Sequence, residues 1–142
     1  MFVLDTNVVS ELRKARQGRA DANVVAWADR TDAEALYISA ITVLELELGV
    51  LQVERRDARQ GAALRAWLQE QVLVEFKDRT LAIDTAVARR CAALHVPDPR
   101  SERDALIAAT ALIHGMTVVT RNSADFAATG VNMLNPWGDG AG

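Results

Sequence analysis

The sequence predicts a three-layer α/β/α sandwich around a mainly parallel five-stranded sheet, and three observations predict it. Short apolar runs containing β-branched residues recur along the chain. Segments with apolar residues at three- and four-residue spacing separate them, as helices would. The runs also lack the polar alternation of a sheet that faces water on one side, so each strand needs cover on both faces.

The elements follow in order. Phe2–Leu4 is expected as the first strand, with helices over Thr6–Arg13 and Ala22–Asp29. Leu36–Ile38 is the second strand, followed by helices over Thr42–Val53 and Arg59–Val72. In the latter, Leu64, Trp67, Leu68 and Val72 share one face. Thr80–Ile83, Thr117–Thr120 and Val131–Leu134 supply the remaining strands, and Asp84–Leu94 and Glu102–His114 the remaining helices. No repeat, low-complexity tract or Pro/Gly/Ser-rich linker interrupts the 142 residues, so 1–142 is read as one domain.

The apolar fraction of 50% and charged fraction of 25% are those of an ordinary soluble protein. Asp5 breaks the apolar start, so the first residues do not read as a signal peptide, and no apolar run approaches the ~18 residues of a membrane span. A cytoplasmic location is expected, with no membrane partner. Cys91 is the one cysteine; it has no cysteine partner for a disulfide or a zinc site and reads as a small helical core residue.

In open α/β sheets ligands bind beyond the carboxyl ends of the strands, where the strand order reverses. Asp5 follows the first strand directly, so its carboxylate is placed at the rim of the sheet, facing a crevice. Glu45, in "SAITVLELELG", lies one turn into the helix after the second strand. Asp104, in "SERDALIAATALI", opens a helix on which Ile107, Ala108, Ala111 and Leu112 share its face. The stretch "VVTRNSADF" follows the fourth strand and offers Asn122 and Asp125.

Each acid also has a local use. Thr42 to Glu45 and Ser101 to Asp104 have capping-motif spacing, Asp5 can cap the helix beginning at Thr6, and Asp125 can close a turn. Gathered at one sheet edge, however, four acids repel unless they are protonated or bridged by a cation. Oxygen ligands without a suitable His pair favour Mg²⁺ or Mn²⁺, because His95 and His114 lie at helix ends and form neither HxH nor HExxH. Such an ion activates a water and neutralises charge on a phosphodiester, with no nucleophilic side chain required.

The balance of 16 basic against 19 acidic residues gives −3, which by itself disfavours a nucleic-acid partner. Setting four acids against a cation changes that sign. Arg13, Lys14, Arg16 and Arg19 fall in a stretch free of acids and are placed to grip phosphates, with Arg121 beside the fourth stretch. Trp137 is either a base-stacking platform or a packing cap. Thr6 and Asn7 either hold a metal-bound water or cap the helix.

The stretches "MFVLDTNVVSEL", "SAITVLELELG", "RDALIAATAL" and "TRNSADF", in this order, resemble the PIN-domain ribonucleases, and specifically the VapC-like toxins of type II toxin–antitoxin pairs. The resemblance runs from Met1 to Trp137. It implies a Mg²⁺- or Mn²⁺-dependent endoribonuclease that cleaves RNA and forms a homodimer. It further implies a cognate antitoxin whose tail enters the active-site groove, giving a heterotetramer or a larger assembly. The family's acids fall on Asp5, Glu45 and Asp104. Some members carry Asp directly after "TR", where this chain has Asn122; others carry "TRNxxDF", as here. Asp125 is therefore taken as the fourth acid, with Asn122 giving a neutral oxygen or holding a water.

Two alternatives stand beside this reading. A haloacid-dehalogenase-like phosphohydrolase would use Asp5 as nucleophile, but it needs a second Asp where this chain has Asn7, and neither Lys14 nor Lys77 follows a later strand as a phosphate clamp. A non-catalytic partner-binding module would not require Asp5, Glu45 and Asp104 all to be acids.

Overall fold

A computed structural model describes residues 1–138. Strands β1 (Phe2–Leu4), β2 (Leu36–Ser39), β3 (Thr80–Leu81), β4 (Thr117–Val119) and β5 (Met133–Leu134) form one sheet in the order β3-β2-β1-β4-β5. Every pairing is parallel, so the sheet is wholly parallel rather than mainly so. The chain builds outward from β1 through β2 to β3, then returns to the other side of β1 with β4. The strand order thus reverses between β1 and β4, where Val3 pairs with Val118 and Leu4 with Val119. Asp5 continues this ladder, donating its N–H to Val119 O at 2.9 Å.

Successive strand residues face opposite ways, so Leu4 and Val3 enter different layers. Leu4 joins Val8, Val9, Trp27, Ile38, Leu46, Leu68 and Val72. Apart from Ile38 of β2, these come from helices α1 (Thr6–Arg13), α2 (Ala22–Asp29), α3 (Ala40–Arg56) and the segment after α4 (Ala58–Trp67). Val3 joins Ile41, Ile107, Ala108, Ala111, Val118 and Phe126 on the other face. That layer is dominated by α7 (Glu102–His114), whose alanines let it lie close to the sheet, with α6 (Thr85–Leu94) packed outside it. A covered sheet of this kind explains why the strands read as continuous apolar runs.

Several boundaries differ from expectation. Helix α3 starts at Ala40, because the cap is Ser39, whose hydroxyl accepts from Thr42 N at 3.3 Å. The helix expected over Arg59–Val72 is α4 followed by a π-turn over Leu68–Val72 and a short α5 (Leu73–Glu75). The wider turn keeps Leu68 and Val72 both buried while the chain turns toward β3. Strands β3 and β5 are shorter than predicted, with Ile83 outside β3 but packed against the α7 layer. A 3-10 turn over Lys14–Gln17 extends α1 and ends on Gly18 in the left-handed region (φ 67°). A short α8 (Ser123–Phe126) follows β4. Helices α3 and α4 approach so closely that a Cβ on Gly61 would stand 2.5 Å from Glu54 Cα. Among the described residues no helix is long and apolar enough to cross a membrane.

Candidate active site

The carboxyl ends of β1 and β4 open into a cleft of about 450 Å³. Asp5 stands at its floor and is only 6% exposed. It caps α1, its Oδ1 accepting from Thr6 N at 2.8 Å. Its Oδ2 accepts from the Thr120 hydroxyl at 2.8 Å and from Asn7 Nδ2 at 3.3 Å. Thr120 also accepts from Asn122 N at 2.9 Å, so one hydroxyl ties the acid to the loop after β4. Burial nevertheless pushes the Asp5 carboxyl above its ordinary range. The hydrogen bonds from Thr120 and Thr6 oppose that rise, and the charges of Asp104 and Glu45 add to it.

Glu45 reaches the cleft from the second turn of α3. The Thr6 hydroxyl donates to its Oε1 at 2.6 Å and lies 3.2 Å from Thr42 Oγ1. Its other oxygen faces Arg103 at 3.6 Å. Asp104 stands in the first turn of α7, its N–H donating to the Ser101 cap at 3.4 Å. Its carboxyl is raised by burial first and then by the charge of Asp125, with Glu45 contributing. Asp5, Glu45, Asp104 and Asn122 all line the cleft. Asp125, expected as the fourth acid, is exposed on α8 and is not among the residues lining the cleft, although its charge is felt by Asp104.

The donors are carboxylate and amide oxygens, and burial together with the neighbouring acids raises the proton affinity of Asp5 and Asp104. That set fits a hard divalent cation. Lys14 and Arg121 also line the cleft, but each is engaged: Lys14 with Glu11 at 3.1 Å, Arg121 stacked 5.3 Å from the centre of the Trp137 ring. Trp137 is held from behind, its carbonyl accepting from Asn23 Nδ2 at 3.0 Å.

The basic run does not act as one patch. Asn7, Ser10, Glu11 and Lys14 fall at i, i+3, i+4 and i+7 and share the cleft face of α1. Arg13 and Arg16 lie on the opposite side, lining an apolar groove of about 400 Å³, with Arg13 5.7 Å from the Trp67 ring. Arg19 bonds Gln17. Neither Arg13, Arg16 nor Arg19 lines the acidic cleft.

Two supports were missed by sequence reasoning. Thr120 looked like an ordinary strand residue. Glu11 is buried, its Oε2 accepting from Asp21 N at 2.8 Å, which with Lys14 holds its carboxyl below its ordinary range. Its position four residues after Asn7 was the available signal. Cys91 is a buried core residue and His95 caps α6, as expected, and the two also meet Glu102 in one cluster.

Residues 2–132 match the PIN domain family model. The chain is 40% identical to a VapC ribonuclease of Sinorhizobium fredii, covering 96% of this chain and 98% of that protein. It is 38% identical to Toxin FitB of Neisseria gonorrhoeae, over 98% of this chain and all of the other (100%). A solved structure of FitAB bound to an IR36 DNA fragment superposes with a TM-score of 0.86 at 36% identity, covering 96% of each chain. The fold and the cleft thus define a PIN-domain protein. The chain belongs to that family, in the group that includes the VapC and FitB toxin ribonucleases.

Proposed function

We propose that this chain is a Mg²⁺- or Mn²⁺-dependent endoribonuclease toxin, with Asp5, Glu45 and Asp104 as its metal-holding acids. The observation that carries the reading is the convergence of three carboxylates from distant stretches into one cleft lined by oxygen donors. Asn122 or Asp125 completes the set. A bound divalent ion supplies a water of lowered pKa and neutralises charge on the phosphate.

The protein's own part is positioning. Thr120 and Thr6 N–H fix both oxygens of Asp5, and the Thr6 hydroxyl fixes Glu45. With both oxygens engaged and Asn7 beside them, Asp5 is poorly placed to act as a nucleophile. Lys14 and Arg121 at the cleft wall draw the phosphate backbone, and the other three basic residues, facing away, serve the flanking strand or a partner. Trp137, already stacked against Arg121, offers a face to an unpaired base.

The proposed partner is an antitoxin whose tail enters the cleft and covers the acids. A homodimer is proposed as well, supported by Leu44, Leu48 and Leu51, exposed along one stripe of α3.

Purified protein mixed with labelled RNA and Mg²⁺ tests the reading. Cleavage should be abolished by EDTA and by Asp5→Asn without loss of folding. Cleavage that persists at full rate in Asp5→Asn, or rapid hydrolysis of a phosphomonoester with RNA left intact, would overturn it.

A further inference from the structure

A second cluster of ligating side chains lies away from the cleft floor. Cys91 sits on the last turn of α6, His95 caps that helix one turn later, and Glu102 is the first residue of α7. Cys91 Sγ stands 3.4 Å from Glu102 Oε1 and 3.9 Å from His95 Nε2, and these latter two atoms are 3.1 Å apart. Around a tetrahedral zinc ion, with bonds of about 2.3 Å to sulfur and about 2.0 Å to nitrogen or oxygen, ligand atoms stand about 3.3 to 3.6 Å apart. The triangle matches that spacing to within a few tenths of an ångström.

We propose that Cys91, His95 and Glu102 form a second cation site, selective for a borderline-soft transition metal such as Zn²⁺ and chemically distinct from the all-oxygen cleft. Thiolate, imidazole and carboxylate together favour zinc over magnesium. Cys91 lies at the bottom, 4% exposed, while the Glu102 side chain is 71% exposed, so an ion enters from solvent and keeps a position for water.

Hydrogen bonds hold the three groups together without an ion. Arg100 N–H donates to His95 Nδ1 at 3.2 Å, so Nε2 carries the ring proton and donates to Glu102. Binding through Nε2 moves that proton to Nδ1, so the half-buried Arg100 N–H gives up this acceptor at the end of the exposed 96–99 segment. The thiol proton leaves to solvent. Burial and the neighbouring Glu102 push this thiol up to about 11; an ion bound between the two groups reverses the Glu102 effect, because the carboxylate then shares the cation. The occupied site clamps the 96–101 loop and the first turn of α7, which carries Asp104 two residues after Glu102.

Co²⁺ added to metal-free full-length protein in excess Mg²⁺ provides the test. One equivalent per chain should produce a thiolate-to-cobalt charge-transfer band in the near ultraviolet. Zn²⁺ should abolish that band and raise the melting temperature. Cys91→Ser should lose the band, and His95→Gln and the exposed Glu102→Gln should each bind at least about tenfold more weakly. Asp104→Asn should leave the band unchanged. Absence of the band in the wild type, its persistence in Cys91→Ser, or unaltered affinity in both His95→Gln and Glu102→Gln would overturn the site.

Discussion

The Thr120 hydroxyl donates to Asp5 Oδ2 at 2.8 Å across 115 residues of sequence. This buried side-chain bond joins the end of β4 to the acid at the end of β1, and Asn122 N–H donates to the Thr120 hydroxyl oxygen in turn. Thr120→Val should destabilise the protein by about 1 to 3 kcal/mol in urea unfolding, the usual consequence of unpairing buried polar groups. Because this bond holds the Asp5 carboxyl down, the acidic limb of the pH–rate profile should also move to higher pH. Thr120→Ser should restore both.

Asp104 gives a pH prediction whose sign follows from its raised carboxyl. A folded-state pKa above the unfolded one means the native protein binds the proton more tightly, so stability is greatest below the unfolded pKa and is lost as pH rises through the folded value. Asp104→Asn should therefore melt higher than wild type in EDTA at neutral pH. The gap should narrow as the pH falls into the aspartate range. Mg²⁺ should stabilise the wild type more than the variant; equal melting in every condition would count against repulsion among these acids.

Glu11 behaves oppositely. Its carboxylate accepts the Asp21 N–H and pairs with Lys14, which lowers its pKa. Its contribution is present above the unfolded pKa and fades as pH falls through the folded one. Glu11→Ala should lower stability by about 1 to 3 kcal/mol near neutrality, because a backbone donor loses its partner. Chemical denaturation across pH should show this difference shrinking in acid.

Gly61→Ala probes the packing of α3 on α4. The added methyl would collide with the backbone of Glu54, which cannot rotate away. A loss of about 1 to 3 kcal/mol is expected, as for overpacked cores. The same substitution at Gly49, where a Cβ meets nothing within 4 Å, should be harmless or stabilising in a thermal melt.

What the sequence disclosed was local. The apolar run before Asp5 and the periodic, alanine-rich face behind Asp104 carry their own signals, and both elements fall where they were expected. Thr42 was read as a cap because its spacing to Glu45 allowed it. Ser39 takes that place, and Thr42 is buried beside Thr6 instead. The π-turn at Leu68 was illegible because the sheet beneath it, not helix propensity, decides how many residues fit in the turn. The basic run looked like one patch because charge was counted along the chain, whereas the helical period divides it between two faces. Thr120 and Glu11 were overlooked because their roles depend on partners that only the folded chain brings near.

The reversal of strand order beside β1 has a consequence for biosynthesis. Asp5 is translated 115 residues before its supporting hydroxyl, and the neighbouring strand β4 emerges just ahead of that hydroxyl. A nascent chain that has not yet extended through Thr120 therefore lacks the assembled cleft.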